Sequence, residues 1–396
     1  MRPLKKIYCR GFQTVFRLIL PFLPYRDPKI LHRLGEVPPL LKEKKIRRVL
    51  LVTDENLRKI GGTAPLEEAL EQAGIFCAVY DETVANPTVA NAEAARETYL
   101  DNGCEAVIAF GGGSPMDCAK ALCARIARPD RSLLQMKGLL KVRRATPLLI
   151  AVPTTAGSGS ETTLAAVITD EKNHHKYVIN DFALIPSYAV PDPAVTATLP
   201  RAVAAATGMD ALTHAVEAFI GRSTTKETRA DALKAVELIF RHLEKVCENG
   251  AEEDREQMLY ASFLAGKAFT RSYVGYVHAV AHSLGGAYGT PHGEANAILL
   301  PHVLRAYGEA AEHKLALLAD AAGIGGSREK EKAAAFIAAI EAMNRRLGIP
   351  DAIGELKEED IPALARRADK EANPLYPVPR LMDAKELESL YRAVLK

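Results

Sequence analysis

The residues best suited to chemistry lie in the second half of the chain, where aspartate and histidine recur at helical spacing. Asp210 and His214 are four positions apart in Gly208-Met-Asp-Ala-Leu-Thr-His214, and His278 and His282 repeat the interval in Val277-His-Ala-Val-Ala-His282. On a helix that spacing stacks both side chains on one face. A glycine-rich turn (Gly285, Gly286, Gly289) then leads to Pro291-His292-Gly293 at the head of another helix. One carboxylate with neutral imidazoles is an acceptable shell for a divalent transition metal: Asp supplies charge and hardness, and imidazole suits Fe, Zn, Ni or Cu. The five candidates are one more than a four-ligand shell with an open position needs, so one histidine is expected to do other work. A lone helical histidine is usually a packed or solvated residue. Two pairs plus a third histidine beside glycine turns carry the metal reading. His32, His242, His302 and His313 lack such partners and read as structural, and His174 and His175 read as solvated turn residues.

Two differently patterned halves must position these groups. In the first, β-rich runs at Arg48 to Asp54, Phe76 to Tyr80, Glu105 to Phe110 and Pro147 to Val152 alternate with helical stretches at 64–73 and 89–102 and from the Gly111 turn to about Ala127. Continuous Val/Ile/Leu strands separated by helices indicate a parallel sheet covered on both faces. Thr163 to Asp170 and Lys176 to Asn180 read as a hairpin around the polar turn 171–175. After Leu199 the β-branched runs end, and helical spacing continues through 202–221, 226–247, 255–270, 296–307, 329–347 and 385–395. The expected fold is therefore α/β plus all-α. An N-terminal Rossmann-like dinucleotide-binding domain occupies 1–199, with an apolar helical arm at 1–25, and an all-helical metal-binding and catalytic domain occupies 200–396.

Three features of the first half fall at successive strand ends. Gly111-Gly-Gly-Ser-Pro115 follows a strand and opens a helix, where close backbone approach and exposed N–H groups favour a phosphate. It is not GxGxxG, so the standard Rossmann fingerprint is absent. Asp54 closes the first of these runs, where an acid can accept hydrogen bonds from an adenine ribose, and Pro153-Thr-Thr-Ala-Gly-Ser-Gly-Ser-Glu161 is a second turn dense in small hydroxyl residues. Together they favour a dinucleotide over mere tight connections.

Composition bounds the rest. In 396 residues, 48% are hydrophobic and 25% charged, with a net charge of +2, which gives a substantial core and no reason to expect a nucleic-acid partner. Six cysteines without a CxxC pair argue for a reducing compartment. The apolar stretch from Ile7 to Pro24 is broken by Arg10, Arg17, Pro21 and Pro24, too short an uncharged run to span a bilayer. It reads as an amphipathic helix docked on the protein or a partner subunit, without stable membrane insertion, in a cytoplasmic protein.

Taken together, these segments resemble the iron-containing, or group III, alcohol dehydrogenase family from about Arg47 to the C-terminus. The resemblance is carried by Val52-Thr-Asp54, Asn86-Pro-Thr88, Gly111-Gly-Gly-Ser-Pro-Met-Asp117 and Pro153 to Glu161 in the first half. In the second half it is carried by Thr207 to His214, Gly275 to His282 and Thr290 to Pro301. It implies a dehydroquinate synthase-like fold, with Asp210, His214, His278 and His292 as metal ligands and His282 near the substrate. It further implies the cofactor pyrophosphate on Gly112, Gly113 and Ser114 with Asp117 nearby, and cofactor contacts at Asn86, Thr154, Thr155, Thr163 and Lys176. Asp54 matches the position where an acid disfavours the 2′-phosphate of NADP, which implies NAD; two negative groups in hydrogen-bonding range repel. A homodimer or larger homo-oligomer is also implied.

Two departures stand out. Relatives usually open with a short hairpin, whereas Asp27 to Lys45 reads differently and follows the apolar arm. Tyr273 and Tyr276 precede His278 and either narrow the substrate pocket or pack in the core. The function implied is metal-assisted hydride transfer between NAD(H) and a small alcohol or aldehyde, with Fe²⁺ favoured, Zn²⁺ admissible and His282 as a proton relay. A zinc-dependent polyol dehydrogenase or a dehydroquinate-synthase-like lyase would keep the fold with a smaller ligand set. A metal-dependent hydrolase without nucleotide would leave Asp54 and the Gly111 turn idle, and in a non-catalytic nucleotide-binding or assembly protein metal removal would not alter chemistry.

Overall fold

A computed structural model describes residues 1–171 and 175–396. The turn residue His174 and the side chain of His175, expected to be solvated, lie outside the described residues. The chain forms two compact units, residues 24–198 and residues 1–23 together with 199–396.

The α/β unit is built on strands β1 (Lys29–Ile30), β2 (Arg48–Val52), β3 (Phe76–Tyr80), β4 (Ala106–Gly111), β5 (Gly138–Leu139), β6 (Leu148–Pro153), β7 (Ala165–Asp170), β8 (His175–Asn180) and β9 (Tyr188–Ala189). Six of them make one parallel sheet in the order β1-β9-β6-β4-β2-β3. Successive strand residues point to opposite faces. Val49 and Leu51 therefore join Leu41, Leu66 and Leu70 in one core, while Leu50 and Val52 join Tyr99, Met116 and Leu122 in another. The first core is closed by the helices Val37–Glu43 and Ala64–Gln72, and the second by the helices Val89–Asp101 and Gly113–Ala127. The expected hairpin is β7 against β8, antiparallel, with Ala165 opposite Asn180. At the sheet edge β1 pairs with β9 through two residue pairs.

The helical unit is organised around the helix Arg201–Ile220, in which every residue from Gly208 to Ile220 is buried. A helix apolar on all sides belongs in a core, and the helices Lys226–Glu248, Glu252–Ser272 and His292–Tyr307 pack against it. Helices Glu309–Ala321 and Ile361–Ala372 add to those read from the sequence. Their buried stripes are largely alanine (Ala311, Ala316, Ala319; Ala365, Ala368, Ala372), which weakens the hydrophobic period that marks a helix. The N-terminal arm, read with the first half in the sequence, packs here instead. Its helix Pro3–Ile19 is fastened by Arg10 and Gln13 to backbone carbonyls between Pro374 and Pro379.

Candidate functional site

Asp210 and His214 face one way from the central buried helix, His278 comes from the helix Tyr276–Tyr288, and His292 begins the helix His292–Tyr307. One potential ligand atom from each of the four lies within 4.8 Å of all the others. Asp210, His214 and His278 are buried, and His292 is exposed. The rings of His214 and His278 stack at 4.6 Å, and those of His278 and His292 are 5.4 Å apart. Asp210 Oδ1 stands 3.5 Å from His292 Nε2 and 3.9 Å from His278 Nε2.

The chemistry of this donor set fits a divalent cation. His278 Nδ1 donates to Glu217 Oε2 at 2.7 Å, which leaves the lone pair on Nε2. That nitrogen is buried and has no hydrogen-bond partner among the described residues. Burial, with His214, His292 and His282 around it, holds His278 well below the usual imidazole range, so the ring is neutral as a ligand must be. An orphaned imidazole nitrogen beside a carboxylate and two further imidazoles is the arrangement a metal ion completes.

Glu217 is not among the residues the sequence singles out, yet it organises the cluster. Its two oxygens accept from the backbone N–H of Gly275 (2.7 Å) and Val277 (2.8 Å) as well as from His278. Burial pushes its carboxyl up to about 7 against the pull of those donors. The available signal is a polar stripe, Asp210, His214 and Glu217, on a helix otherwise apolar. Two glycines allow the close approach. A Cβ at Gly275 would lie 2.5 Å from Glu217 Oε1, and one at Gly293 would lie 2.4 Å from the Ala206 carbonyl oxygen. Asn296, one turn beyond His292, donates to Asp210 Oδ1 at 2.7 Å, and Phe269 stacks on His214 at 4.1 Å. Neither could be recognised without knowing which helices meet.

His282 stands outside the four-atom cluster. Its ring stacks on His292 at 5.1 Å, and its Nδ1 lies 2.6 Å from Glu371 Oε1, which also accepts from the Tyr376 hydroxyl at 2.8 Å. Burial raises the Glu371 carboxyl, but His282 and the Tyr376 hydroxyl outweigh it and hold the group below the usual range. Tyr276 packs rather than lining a pocket: it is fully buried, with its hydroxyl on Asn373 Oδ1 and the Met382 carbonyl. Tyr273 meets Phe16 edge-on at 5.1 Å. His242 and His313 are engaged with Asp254 and Glu329.

In the α/β unit Asp54, Gly112 to Ser114, and Thr154 with Thr155 follow the carboxyl ends of β2, β4 and β6, adjacent strands, whereas Asn86 follows β3 and Lys176 lies in β8 of the smaller sheet. Gly112 stands at the N-terminus of the helix Gly113–Ala127 with no side-chain cap, so its first backbone N–H groups remain for an anion. Thr155 lies beside it, within 3.3 Å of where a Gly112 Cβ would stand, and the Thr154 N–H donates to the Gly111 carbonyl. Asn86, at φ 60°, donates its N–H to Ser114 Oγ (3.2 Å) and accepts from Lys176 Nζ (2.7 Å), bringing three expected contacts together. Asp54 caps the helix Glu55–Lys59 by accepting from the Leu57 N–H at 3.0 Å.

Thr163 and Asp117 turn inward. Thr163 is buried with its hydroxyl 2.7 Å from Lys120 Nζ, and Asp117 accepts from Ser160 Oγ at 3.2 Å. Lys120, one of two cations in the helix, carries no mark in the sequence; it is fully buried and ties the 160–165 segment to that helix.

Comparison with known proteins covers both halves of the chain. The family description "Iron-containing alcohol dehydrogenase" matches residues 31–193, and "Fe-containing alcohol dehydrogenase family, C-terminal" matches residues 204–395. The 1,3-propanediol dehydrogenase of Klebsiella pneumoniae is 38% identical over 385 residues, 96% of this chain and 98% of that protein. A crystal structure of 1,3-propanediol oxidoreductase matches with a TM-score of 0.90 at 36% identity, over 94% of this chain and 99% of that one. Sulfoacetaldehyde reductase from Bifidobacterium kashiwanohense, solved in complex with NAD⁺, matches with a TM-score of 0.83 at 30% identity, over 93% of this chain and 98% of that one. Among the described residues no helix is long and apolar enough to cross a membrane.

Proposed function

The chain belongs to the iron-containing alcohol dehydrogenase family, and on that premise we propose that Asp210, His214, His278 and His292 hold its divalent metal, Fe²⁺ ahead of Zn²⁺. The reaction is hydride transfer between NAD(H) and a small alcohol or its aldehyde. The observation that carries this reading is the buried His278 Nε2, without a hydrogen-bond partner among the described residues, beside three further donor atoms. When bound, the metal supplies Lewis-acid polarisation of the substrate oxygen, and the dinucleotide accepts or donates the hydride.

The chain's own residues do the positioning. Glu217 keeps the proton of His278 on Nδ1 and so aims Nε2 at the cluster. Asn296 steadies the Asp210 carboxylate. His282, with Nδ1 fixed by Glu371, takes or returns a proton at Nε2 as alcohol and carbonyl interconvert. In the α/β unit Gly112, Gly113 and Ser114 receive the pyrophosphate at the helix N-terminus, supported by Asn86, Thr154, Thr155 and Lys176. Asp117 and Thr163 act one step behind, through Ser160 and Lys120. Asp54 receives the ribose and disfavours NADP. The near-neutral composition and six free cysteines support a cytoplasmic enzyme, and the family resemblance supports a homodimer or larger assembly.

The test is anaerobic purification followed by metal analysis and NADH absorbance with a panel of small alcohols and aldehydes. Near-stoichiometric metal and turnover are expected of the native chain, with both lost in His278→Ala. Glu217→Gln, which cannot accept the His278 proton in the same way, lowers metal affinity by about 10–100-fold. Full metal content and full turnover in His278→Ala would sink the assignment.

A further inference from the structure

The arm helix Pro3–Ile19 turns the usual amphipathic arrangement around. Its polar side holds it to the helical unit. The Arg10 guanidinium donates to the carbonyls of Val378 and Pro379, both at 2.8 Å, and the Gln13 amide donates to the Tyr376 carbonyl at 2.7 Å. The opposite side carries Leu4, Ile7, Phe12, Val15 and Leu18, followed by Phe22, with exposures from 39% to 86%. At 100° per residue these positions form one continuous stripe, with Tyr8 inside it and Ile19 near its margin. Of the 18 exposed large hydrophobics among the described residues, eight lie in the first 22 positions. So dense an apolar strip marks a contact surface rather than scattered surface residues.

Charge selects the occupant. Residues 1–26 contain six basic side chains and no Asp or Glu; Lys5 is paired with Asp369, and Arg10 and Arg26 donate to backbone carbonyls, so Arg2, Lys6 and Arg17 carry the charge the arm presents outward. Arg222, Arg229 and Lys314 add to the same field: burial together with Arg229, Arg17 and Arg222 lowers the Lys314 ammonium to about 8, and burial and Arg222 lower Arg10. Pairing two such stripes in a dimer would bring two cationic arms together. An anionic surface neutralises them instead.

We propose that the exposed stripe of this helix lies in the headgroup boundary of an anionic lipid bilayer, attaching the enzyme peripherally and reversibly. The apolar side chains enter the acyl boundary while Lys6 and Arg17, both exposed along one flank, reach the lipid phosphates. The helix is too short to span, so the attachment stays at the surface.

The experiment uses the full chain with phosphatidylcholine vesicles, with and without phosphatidylglycerol. The sequence contains no Trp, so Phe12→Trp places a single fluorescent reporter on the stripe. Phosphatidylglycerol vesicles are expected to sediment the native chain at least about tenfold more than neutral ones, since each basic residue near such a surface contributes roughly fivefold. The same vesicles shift the indole emission of the Phe12→Trp variant to the blue, and high salt weakens both effects. Ile7→Gln/Leu18→Gln, which alters only exposed positions, abolishes binding with unchanged circular dichroism, and Lys6→Glu/Arg17→Glu removes the preference for phosphatidylglycerol. Native chain left in the supernatant at low salt overturns the proposal, as does native-like binding by Ile7→Gln/Leu18→Gln. An oligomer that this double variant dissociates, without vesicle binding by the native chain, makes the stripe an interface between copies and overturns it as well.

Discussion

Lys120 in the α/β unit and His278 in the helical unit are both almost fully buried polar side chains, but only one is saturated. Lys120 Nζ has the carbonyls of Ser160, Thr163 and Ala165 at 2.7, 3.0 and 3.0 Å and the hydroxyls of Ser160 and Thr163 at 3.2 and 2.7 Å. Burial pulls its ammonium down to about 8, opposed by Asp117 and Glu161, and it stays protonated at neutral pH. His278 has one nitrogen on Glu217 and the other without a hydrogen-bond partner among the described residues. The contrast separates two ways of making a site. The helical cluster needs an added cation to satisfy its donors, whereas the loop scaffold satisfies itself and offers backbone N–H groups to a ligand.

Breaking the saturated side should have the largest effect. Lys120→Met would strand the buried carbonyls of Ser160 and Thr163 and leave Asp117 without its counter-charge, at a cost of about 3–5 kcal/mol. The expected outcome is a lower unfolding midpoint for the α/β unit and loss of nucleotide binding, with metal content per chain retained. Calorimetry beside metal analysis reads both. An unchanged midpoint would mean that the five contacts are dispensable, and the contrast with His278 would collapse.

The same pair shows what the sequence could and could not disclose. His214, His278 and His292 were legible because helical spacing and flanking glycines are local signals. Glu217 lies three residues beyond His214, but its partner is on another helix, so only the polar stripe hinted at it. Lys120 reads as an ordinary helix cation because its acceptors lie 40 to 45 residues onward. Thr163 was expected to touch the cofactor, yet the structure gives its hydroxyl to Lys120. The parallel sheet was legible from apolar runs that need burial on both faces. The two-residue strands β1, at the edge, and β9, between β1 and β6, are set by pairing and left no periodic trace.

A pH profile sharpens the comparison on a smaller scale. Glu161 is buried, its Oε1 lacks a hydrogen-bond partner among the described residues, and burial pushes its carboxyl from 4.5 to about 7, partly opposed by its own backbone N–H and Lys120. The folded state therefore keeps a proton that the unfolded chain releases. Its stabilising contribution is complete below about pH 4.5 and is lost as pH rises through 7, on the order of 2–3 kcal/mol in all. Glu161→Gln mimics the protonated form, so its unfolding free energy should fall less than that of the native chain between pH 5 and 8. Parallel profiles for the two proteins would place the Glu161 charge in a better-solvated setting than its burial indicates.

The smallest effect divides the two roles of Asp54. Its Oδ1 caps the five-residue helix Glu55–Lys59 through the Leu57 N–H, and its charge is assigned to discrimination against a 2′-phosphate. Asparagine caps a helix about as well as aspartate, so Asp54→Asn removes the charge and keeps the acceptor. Stability should move by less than about 0.5 kcal/mol, while the preference for NAD over NADP relaxes roughly tenfold, the scale of one partly exposed charge repulsion. Asp54→Ala would give the same relaxation and also lose about 1 kcal/mol with the cap. Steady-state kinetics with both dinucleotides, beside thermal unfolding, distinguishes the two variants. If Asp54→Asn kept the native preference, the residue would be a cap alone, and cofactor choice would have to come from another strand end.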